Sequence, residues 1–307
     1  ASQTKVREMI AKNNAKKGGA SDKIVPIILG IISAISILTT IAILFTLLTE
    51  TITFFTRVPF SKFFLTGTWN PTGSNPEYGI WALIIGTLKI TFIATIVSVP
   101  IGLGAAIYLN EYASDRTRRI IKPILEILAG IPTIVFGFFA LTFVTPILRS
   151  IIPGLGEFNS ISPGIVVGIM IVPIITSLSE DAMSSVPNKI REGAFGLGAT
   201  KFEVATKVVL PAATSGVVAS IVLGVSRAIG ETMIVSLAAG STPTSSLSLT
   251  SSIQTMTGYI VEVATGDAPF GSDIYYSIYA VGFTLFIFTI IMNLLSQWIS
   301  KRFREEY

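Results

Sequence analysis

The sequence predicts an all-α integral membrane protein with six transmembrane helices. Half of its 307 residues are hydrophobic and only 13% are charged, whereas soluble domains contain about 25% charged residues. Six long apolar stretches, most of them above the roughly 20 residues that a helix needs to cross a bilayer, account for this composition. Lysines and arginines are concentrated in alternate connecting segments, as they are in multi-span membrane proteins.

The apolar stretches follow one another with polar connections between them. The first contains no charge over 26 positions. It is longer than the roughly 7–15-residue apolar region of a signal peptide, so we expect a retained span. Pro163 and Pro173 are expected to break the fourth. The predicted spans are 24–49, 78–110, 123–148, 158–179, 208–240 and 274–300.

The distribution of basic residues predicts the orientation. With the N-terminus inside, 17 of the 22 lysines and arginines fall in inner segments and three fall in outer ones. Cytoplasmic segments of membrane proteins carry such an excess, so both termini are predicted to be cytoplasmic. The expected organisation is a basic N-terminal tail at 1–23, a six-span domain at 24–300 and a C-terminal tail at 301–307.

The longest inner loop, at about 180–211, carries an irregular motif. Glu192-Gly193-Ala194 is followed after three residues by Gly198, and nine residues later come Val208, one residue and Leu210-Pro211. This pattern resembles the EAA motif of the permeases of binding-protein-dependent ABC importers. Gly193 in place of alanine and Val208 in place of isoleucine are the departures. The resemblance implies a short helix that fits a groove on a separate ATP-hydrolysing subunit.

Local physical chemistry supports a helix in this loop. Ser185 or Asn188 can begin it, because their side chains can accept hydrogen bonds from the first backbone N–H groups. Glu192 then lies in the early turns, where the helix dipole favours an acid, and Gly198 permits a tight bend at the end. A second helix is expected from about Lys201 into the fifth span. The alternative is an ordinary amphipathic inner loop.

The chain has no recognisable means of hydrolysing ATP. A phosphate-binding Gly-x-x-x-x-Gly-Lys-[Ser/Thr] string is absent from the sequence. Histidine and cysteine are absent as well, which removes the commonest general base and any thiolate metal site. We therefore expect a non-catalytic subunit without a cofactor of its own, and ATP with Mg²⁺ bound by partner ATPase subunits.

The predicted fifth span contains Arg227 and Glu231. A charge at the bilayer centre costs about 2.5–3.5 kcal/mol on insertion scales, so it usually marks a substrate route or an internal pair. In one continuous helix these two residues are one turn apart and can touch. They either neutralise each other structurally, or Arg227 presents its planar fork to an oxyanion while Glu231 holds it between transport events. The residues alone leave both interpretations open.

Other polar residues in the spans are weaker candidates. Ser226 and Thr232 are possible hydroxyl donors to a passing anion, although hydroxyls are common in membrane helices. Glu126, at the start of the predicted third span, is either an inner-surface charge or a second counter-charge for Arg227. Lys89 either extends toward the outer surface or forms an electrostatic stop for an anion.

Several segments are similar to the phosphate-specific Pst permeases. They are Arg-Ala-Ile-Gly-Glu-Thr at 227–232, Ala-Ala-Gly at 238–240, and the segments 128–133, 69–71 and 254–257. The N-terminal tail and the outer segments resemble the PstC type more than its partner type PstA. The resemblance extends from about residue 24 to the end and implies a MetI-like ABC importer permease fold, with Arg227 and Glu231 involved in phosphate passage.

The same resemblance implies a set of partners. These are a PstA-like second permease, two PstB-like ATPase subunits, an extracytoplasmic PstS-like phosphate-binding protein and the lipid bilayer of the cell membrane, with no nucleic acid. A permease of the same fold for sulfate or molybdate is the nearest alternative. An ion-coupled secondary transporter is another, but it would be expected to show inverted repeats with broken helices in both halves, and the sequence shows none.

Overall fold

The computed structural model describes residues 20–302, and most of them are α-helical. Residues 1–19 and 303–307, which hold most of the two predicted tails, lie outside this range. The chain divides into two compact units, of which the first ends at Glu50 and the second begins at Thr51. Within the described residues, five helices are long and apolar enough to cross a membrane, and one bent helix pair makes a sixth candidate.

The elements are numbered here in chain order. The helices are α1 (Ala20–Arg57), α2 (Phe60–Phe64), α3 (Trp81–Ile107), α4 (Asp115–Ala129), α5 (Thr133–Phe139), α6 (Thr145–Ile151), α7 (Ile161–Ser184), α8 (Asn188–Gly196), α9 (Lys201–Val204), α10 (Leu210–Ala212), α11 (Thr214–Ile229), α12 (Met233–Ala238), α13 (Met256–Thr265) and α14 (Asp273–Arg302). Single π-helical turns at Tyr108–Tyr112, Ala140–Val144 and Ala205–Val209 follow α3, join α5 to α6 and join α9 to α10. The strands are β1 (Trp69–Asn70) and β2 (Glu77–Tyr78).

The first unit consists, in its described part, of α1 up to Glu50. The helix runs on as far as Arg57, so the predicted span at 24–49 is too short at its C-terminal end. Glu50 ended the charge-free stretch, but one acidic residue does not stop a helix. Pro59 accounts better for the end, because a proline disfavours helical backbone in the residue before it.

The centre of the second unit is the contact between α3 and α7. Glycines allow the two backbones to approach closely, as in many membrane helix pairs. A Cβ atom added to Gly168 would lie 2.8 Å from Cβ of Val97 and 2.9 Å from the carbonyl oxygen of Ala94. One added to Gly164 would lie 2.7 Å from Cβ of Ile93. Only hydrogen fits at these positions.

The outer segments are folded rather than loose. Strands β1 and β2 pair antiparallel, with Trp69 opposite Tyr78. The rings of both pack edge-to-face with those of neighbouring aromatic residues, including Tyr259 of α13 at 4.8 Å from Trp69. Burial raises the pKa of Tyr78 to about 12. This buried aromatic cluster closes one end of the second unit.

The third predicted span, at 123–148, begins too early. The structure has a separate amphipathic helix, α4, and the apolar stretch that can cross the membrane runs from Thr133 to Ile151. α4 ends before Gly130, and Pro132 immediately precedes α5. A proline disfavours helical backbone in the residue before it, so the break falls at Ile131. Hydropathy alone misses this break because the sequence stays apolar across it.

The fourth predicted span is a single helix, so its expected breaks are wrong. Pro163 lies in the first turn of α7, where a missing N–H group costs nothing. Pro173 lies inside α7, which nevertheless continues to Ser184. Buried prolines are tolerated in membrane helices because neighbouring helices satisfy the freed backbone groups.

The fifth predicted span, at 208–240, is not one helix. The chain bends by 76° between the segment Lys201–Ala212 and helix α11, with the bend at Ala213. α11 ends at Ile229 and α12 starts only at Met233. The second and sixth spans agree with their predictions within a few residues, as α3 with its π-turn and as α14.

The glycine contact predicts a difference between two alanine substitutions in α3 and α7. Gly168→Ala should lower stability by about 1–3 kcal/mol, because the added methyl group overpacks the helix contact. Gly104→Ala is the matched control, since its Cβ would have no neighbour within 4 Å. Thermal unfolding midpoints in detergent measure both. Equal midpoints for the two variants would contradict the packing argument.

Candidate functional site

The inner loop forms the short helix that the motif predicts. Helix α8 ends at Gly196, and Gly198 follows with a φ of +88°. This left-handed conformation is open to glycine at little cost. It turns the chain toward α9, which begins with a capping box: the Thr200 hydroxyl accepts from the Glu203 N–H, and the Glu203 carboxylate accepts from the Thr200 N–H. The Thr200 backbone N–H, with help from Lys207, lowers the pKa of Glu203 to about 2.

The motif residues take different positions around this turn. Glu192 and Gly193 are exposed, and a Cβ added to Gly193 would meet nothing within 4 Å. Ala194 and Leu210 are half-buried and pack against a core cluster that joins the loop to the inner ends of α3, α7 and α11. Pro211 lies in the first turn of α10, where proline is compatible with a helix. The surface left for a partner includes Leu197, which is 92% exposed.

Arg191, which the motif does not include, connects this helix to the membrane domain. Arg191 of α8 donates from Nε to Oε1 of Glu111 at 3.2 Å and from Nη2 to Oδ1 of Asn110 at 3.1 Å. It also donates to the carbonyl oxygens of Met183 and Val186 at the end of α7. Its side chain is only 13% exposed. The sequence contains one signal of this contact, the acidic Glu111 directly after the predicted second span. It does not indicate which basic residue pairs with it.

A second buried acid lies beside this anchor. The Glu180 side chain, in α7, is 2% exposed and is paired with Arg118 at 3.5 Å and with Lys122, both from α4. The carboxylate of Glu180 raises the pKa of Lys122. Arg118 also donates to the carbonyl oxygens of Leu109 and Asn110. The amphipathic helix is thus fixed to α7 and to the π-turn after α3.

Arg227 and Glu231 do not form the predicted pair. Because α11 ends at Ile229, Glu231 lies in the break before α12, and the one-turn spacing of a continuous helix does not apply. Oε1 of Glu231 accepts from the backbone N–H groups of Met233 and Ile234, at 3.1 and 3.3 Å. Glu231 is buried, and its carboxylate complements the positive end of α12.

Arg227 therefore has no counter-charge among residues 20–302. It lies in the last turn of α11, where the helix dipole favours a cation, and it is exposed on the surface of the chain. It forms no ion pair with any side chain that the structure describes. The arrangement leaves the guanidinium free to bind an anion.

The weaker candidates are placed apart from one another. The Ser226 hydroxyl donates to Oδ1 of Asn293 in α14 at 3.1 Å, and that of Thr232 donates to the Gly230 carbonyl oxygen. Glu126 is exposed on α4, outside the span in which it was expected. Among the described residues, no group of three acidic side chains could hold a metal ion.

Lys89 extends toward the predicted outer segment, but it is buried there rather than exposed at the surface. It is only 7% exposed, and its ammonium donates to the carbonyl oxygens of Ser246 and Ser248. The outer segment that supplies these carbonyls also bonds through Leu249 to Ser160 at the start of α7. Lys89 thus fastens this segment to α3.

Comparison with known proteins agrees with the fold and identifies a family. Residues 98–305 match the family described as binding-protein-dependent transport system inner membrane component. The chain is 34% identical over 235 residues to the probable ABC transporter permease protein YqgH of Bacillus subtilis, covering 76% of this chain and 75% of that protein. It is 33% identical over 261 residues to the phosphate transport system permease protein PstC of Mesorhizobium japonicum, covering 78% of each.

A solved structure is similar in fold. An inward-facing form of the MetNI methionine ABC transporter aligns with a TM-score of 0.58 at 17% identity, over 74% of this chain and 98% of that one. The predicted all-α, MetI-like permease fold is thereby confirmed.

The position of Glu231 predicts how its variants behave. Glu231→Gln should keep the stability of the protein, because the amide oxygen can still accept from the backbone of Met233 and Ile234. Glu231→Leu should lose about 1–3 kcal/mol, the cost of leaving a buried donor unsatisfied. Thermal unfolding in detergent measures both, and a Glu231→Gln variant as unstable as Glu231→Leu would show that the charge, not the acceptor, matters.

Proposed function

The chain belongs to the family of binding-protein-dependent transport system inner membrane components, and we propose that it moves inorganic phosphate into the cell as the PstC-type permease subunit of an ABC importer. It is a multi-pass membrane subunit and not an enzyme. Family membership disfavours the alternative of an ion-coupled transporter. The relatives named for phosphate transport, at 33% identity over 78% of this chain, support the choice of cargo.

One observation carries the cargo assignment, namely the unpaired charge of Arg227. Glu231 is engaged in capping α12, so it does not neutralise the arginine. A guanidinium offers phosphate a planar, bidentate set of donors. Phosphate passing Arg227 would therefore supply a counter-charge that no side chain in residues 20–302 provides. The hydroxyl groups of Ser226 and Thr232 donate within the chain, so toward phosphate they can act only as acceptors from a protonated oxygen.

The proposed transport cycle uses partners on both faces of the membrane. An ATPase and a substrate-binding protein are the partners of such a permease. More specifically, we assign a PstS-like protein to deliver phosphate outside, a PstA-like permease to complete the passage, and two PstB-like subunits to bind ATP and Mg²⁺. Closure of the ATPases pushes α8 of each permease, and the helices open outward. Hydrolysis restores the inward-facing state.

The orientation that this cycle needs is the one that the basic residues predict. α8 and the paired charges of α4 lie on the side that holds most lysines and arginines, which is the cytoplasmic side under the positive-inside rule. Both termini are then cytoplasmic, and the aromatic cluster around Trp69 faces outward.

The proposed passage predicts the effect of removing the guanidinium. Arg227→Gln should abolish phosphate uptake in cells or proteoliposomes without reducing assembly, and Arg227→Lys should retain part of it. Arg149→Gln is the matched control, because Arg149 is also an exposed arginine at the end of a helix and forms no ion pair among the described side chains. Normal uptake by Arg227→Gln would overturn the anion role.

The same assay tests the cargo. Excess unlabelled sulfate or molybdate should leave labelled phosphate uptake unchanged by the wild-type complex. Full competition by either oxyanion would contradict the assignment of phosphate as the specific substrate. The ABC permease assignment would remain in place.

The exposed position of Glu192 predicts uncoupling. Glu192→Lys should reduce phosphate uptake while the ATPase of the purified complex continues, because the reversed charge disturbs docking but no contact within this chain. Lys189→Glu, an exposed charge reversal on the same helix, is the control. Phosphate uptake and ATPase activity, measured on one preparation, test whether the two are uncoupled. Equal effects of the two substitutions would argue against a specific contact of Glu192 with the ATPase.

A further inference from the structure

Arg191 has an unusually complete set of partners for a residue in a surface loop. A guanidinium carries five N–H donors, and the structure gives Arg191 five acceptors. These are Oε1 of Glu111, Oδ1 of Asn110, Oδ1 of Asn188 and the carbonyl oxygens of Met183 and Val186. No donor is left for solvent or for a partner protein.

These acceptors belong to different parts of the fold. Glu111 and Asn110 lie in the π-turn after α3, Met183 lies in the last turn of α7, and Asn188 begins α8 itself. One side chain therefore holds the inner ends of two membrane-spanning helices against the short helix that is proposed to meet the ATPase.

Asn110 extends the connection to α4. Its side chain accepts from Arg191 and donates to the Glu180 carbonyl oxygen at 3.5 Å, while its own carbonyl oxygen accepts from Arg118. Arg118 and Lys122 in turn pair with Glu180. We call this set of residues the inner cluster: Asn110, Glu111, Arg118, Lys122, Glu180 and Arg191.

Burial decides which of these contacts resist force. The side chains of Glu111 and Arg191 are 7% and 13% exposed, so solvent screens this ion pair weakly, and losing one member leaves the other charge poorly solvated. The ion pair Glu203–Lys207 of the same loop is 42% and 71% exposed, and such surface pairs contribute little to stability. When α8 is displaced, the Glu203–Lys207 pair in α9 and the turn after it therefore resists little. The contacts of Arg191 resist more strongly.

We propose that Arg191 is a positioning residue for coupling, which makes α8 and the inner ends of α3 and α7 move as one body when the ATPase pushes. This inference rests on the proposed function, because it assumes that α8 docks on an ATPase. It differs from the docking surface itself, since Arg191 is half-buried and its guanidinium is bonded to the membrane domain.

A lysine cannot replace the arginine in this role. Its single ammonium has three donors and no planar fork, so it cannot reach acceptors on α3, α7 and α8 together. Charge alone is thus insufficient, and Arg191→Lys separates geometry from electrostatics.

The test uses the whole complex in proteoliposomes, with its second permease, its ATPase subunits and its binding protein. The ratio of phosphate moved to ATP hydrolysed is measured. Arg191→Lys and Arg191→Met should lower this ratio several-fold while ATP hydrolysis persists. Lys189→Met is the matched control on α8, since Lys189 is exposed and forms no ion pair among the described side chains. If the Arg191 variants fail to assemble, Glu111→Gln, which keeps an acceptor and the size, should show the same direction of change.

A distance measurement tests the rigid connection independently of cargo. The chain contains no cysteine, so spin labels can be placed at Lys189→Cys in α8 and Arg116→Cys in α4 with cysteine-free partners. Trapping the ATPase with nucleotide should leave the distance between the labels unchanged in the parent and change it in Arg191→Met.

The outcomes separate this inference from the function on which it rests. An unchanged phosphate-to-ATP ratio in the variants, or a distance that shifts in the parent, overturns the role of Arg191 alone. A wild-type complex that hydrolyses ATP but moves no phosphate overturns the proposed function.

Discussion

The close contact of α3 with α7 is the constraint on which the other features depend. Gly164 and Gly168 bring the helices together at a distance that no larger side chain permits. In a bilayer there is little hydrophobic force between helices, so such packing is what holds them. The inner ends of both helices are then fixed close together, and this proximity allows one arginine of α8 to reach acceptors on both. The inner cluster is therefore held in place by the packing of α3 against α7.

Most of the architecture could be predicted because lipid restricts the choices. A chain with long charge-free stretches must cross as helices, and the first, second and sixth spans follow from length alone. The short helix α8 and the left-handed Gly198 also follow from a local motif. Hydropathy fails at Ile131, where the backbone breaks without a change in polarity. The break after Ile229 does contain a charge, Glu231, but the apolar sequence on both sides favours one continuous span. The sequence also reads Pro173 as a break, although packing around α7 accommodates it.

The candidate site was less predictable than the fold, and for a related reason. The spacing of Arg227 and Glu231 has meaning only if one helix carries both, and the helix ends between them. Arg191 counted in the sequence as one basic residue of an inner loop. Its partners, Asn110 and Glu111, lie about 80 residues away, and no local pattern signals a contact over that separation. Lys89 likewise finds its acceptors in a segment far along the chain.

The 76° bend at Ala213 has a geometrical consequence for how force enters the molecule. A rigid rod pushed along its axis moves a second rod at this angle by only about a quarter of that displacement along the second axis. Most of the displacement appears as sideways swing. A displacement along the axis of Lys201–Ala212 would therefore tilt α11 more than it would shift α11 along its own axis.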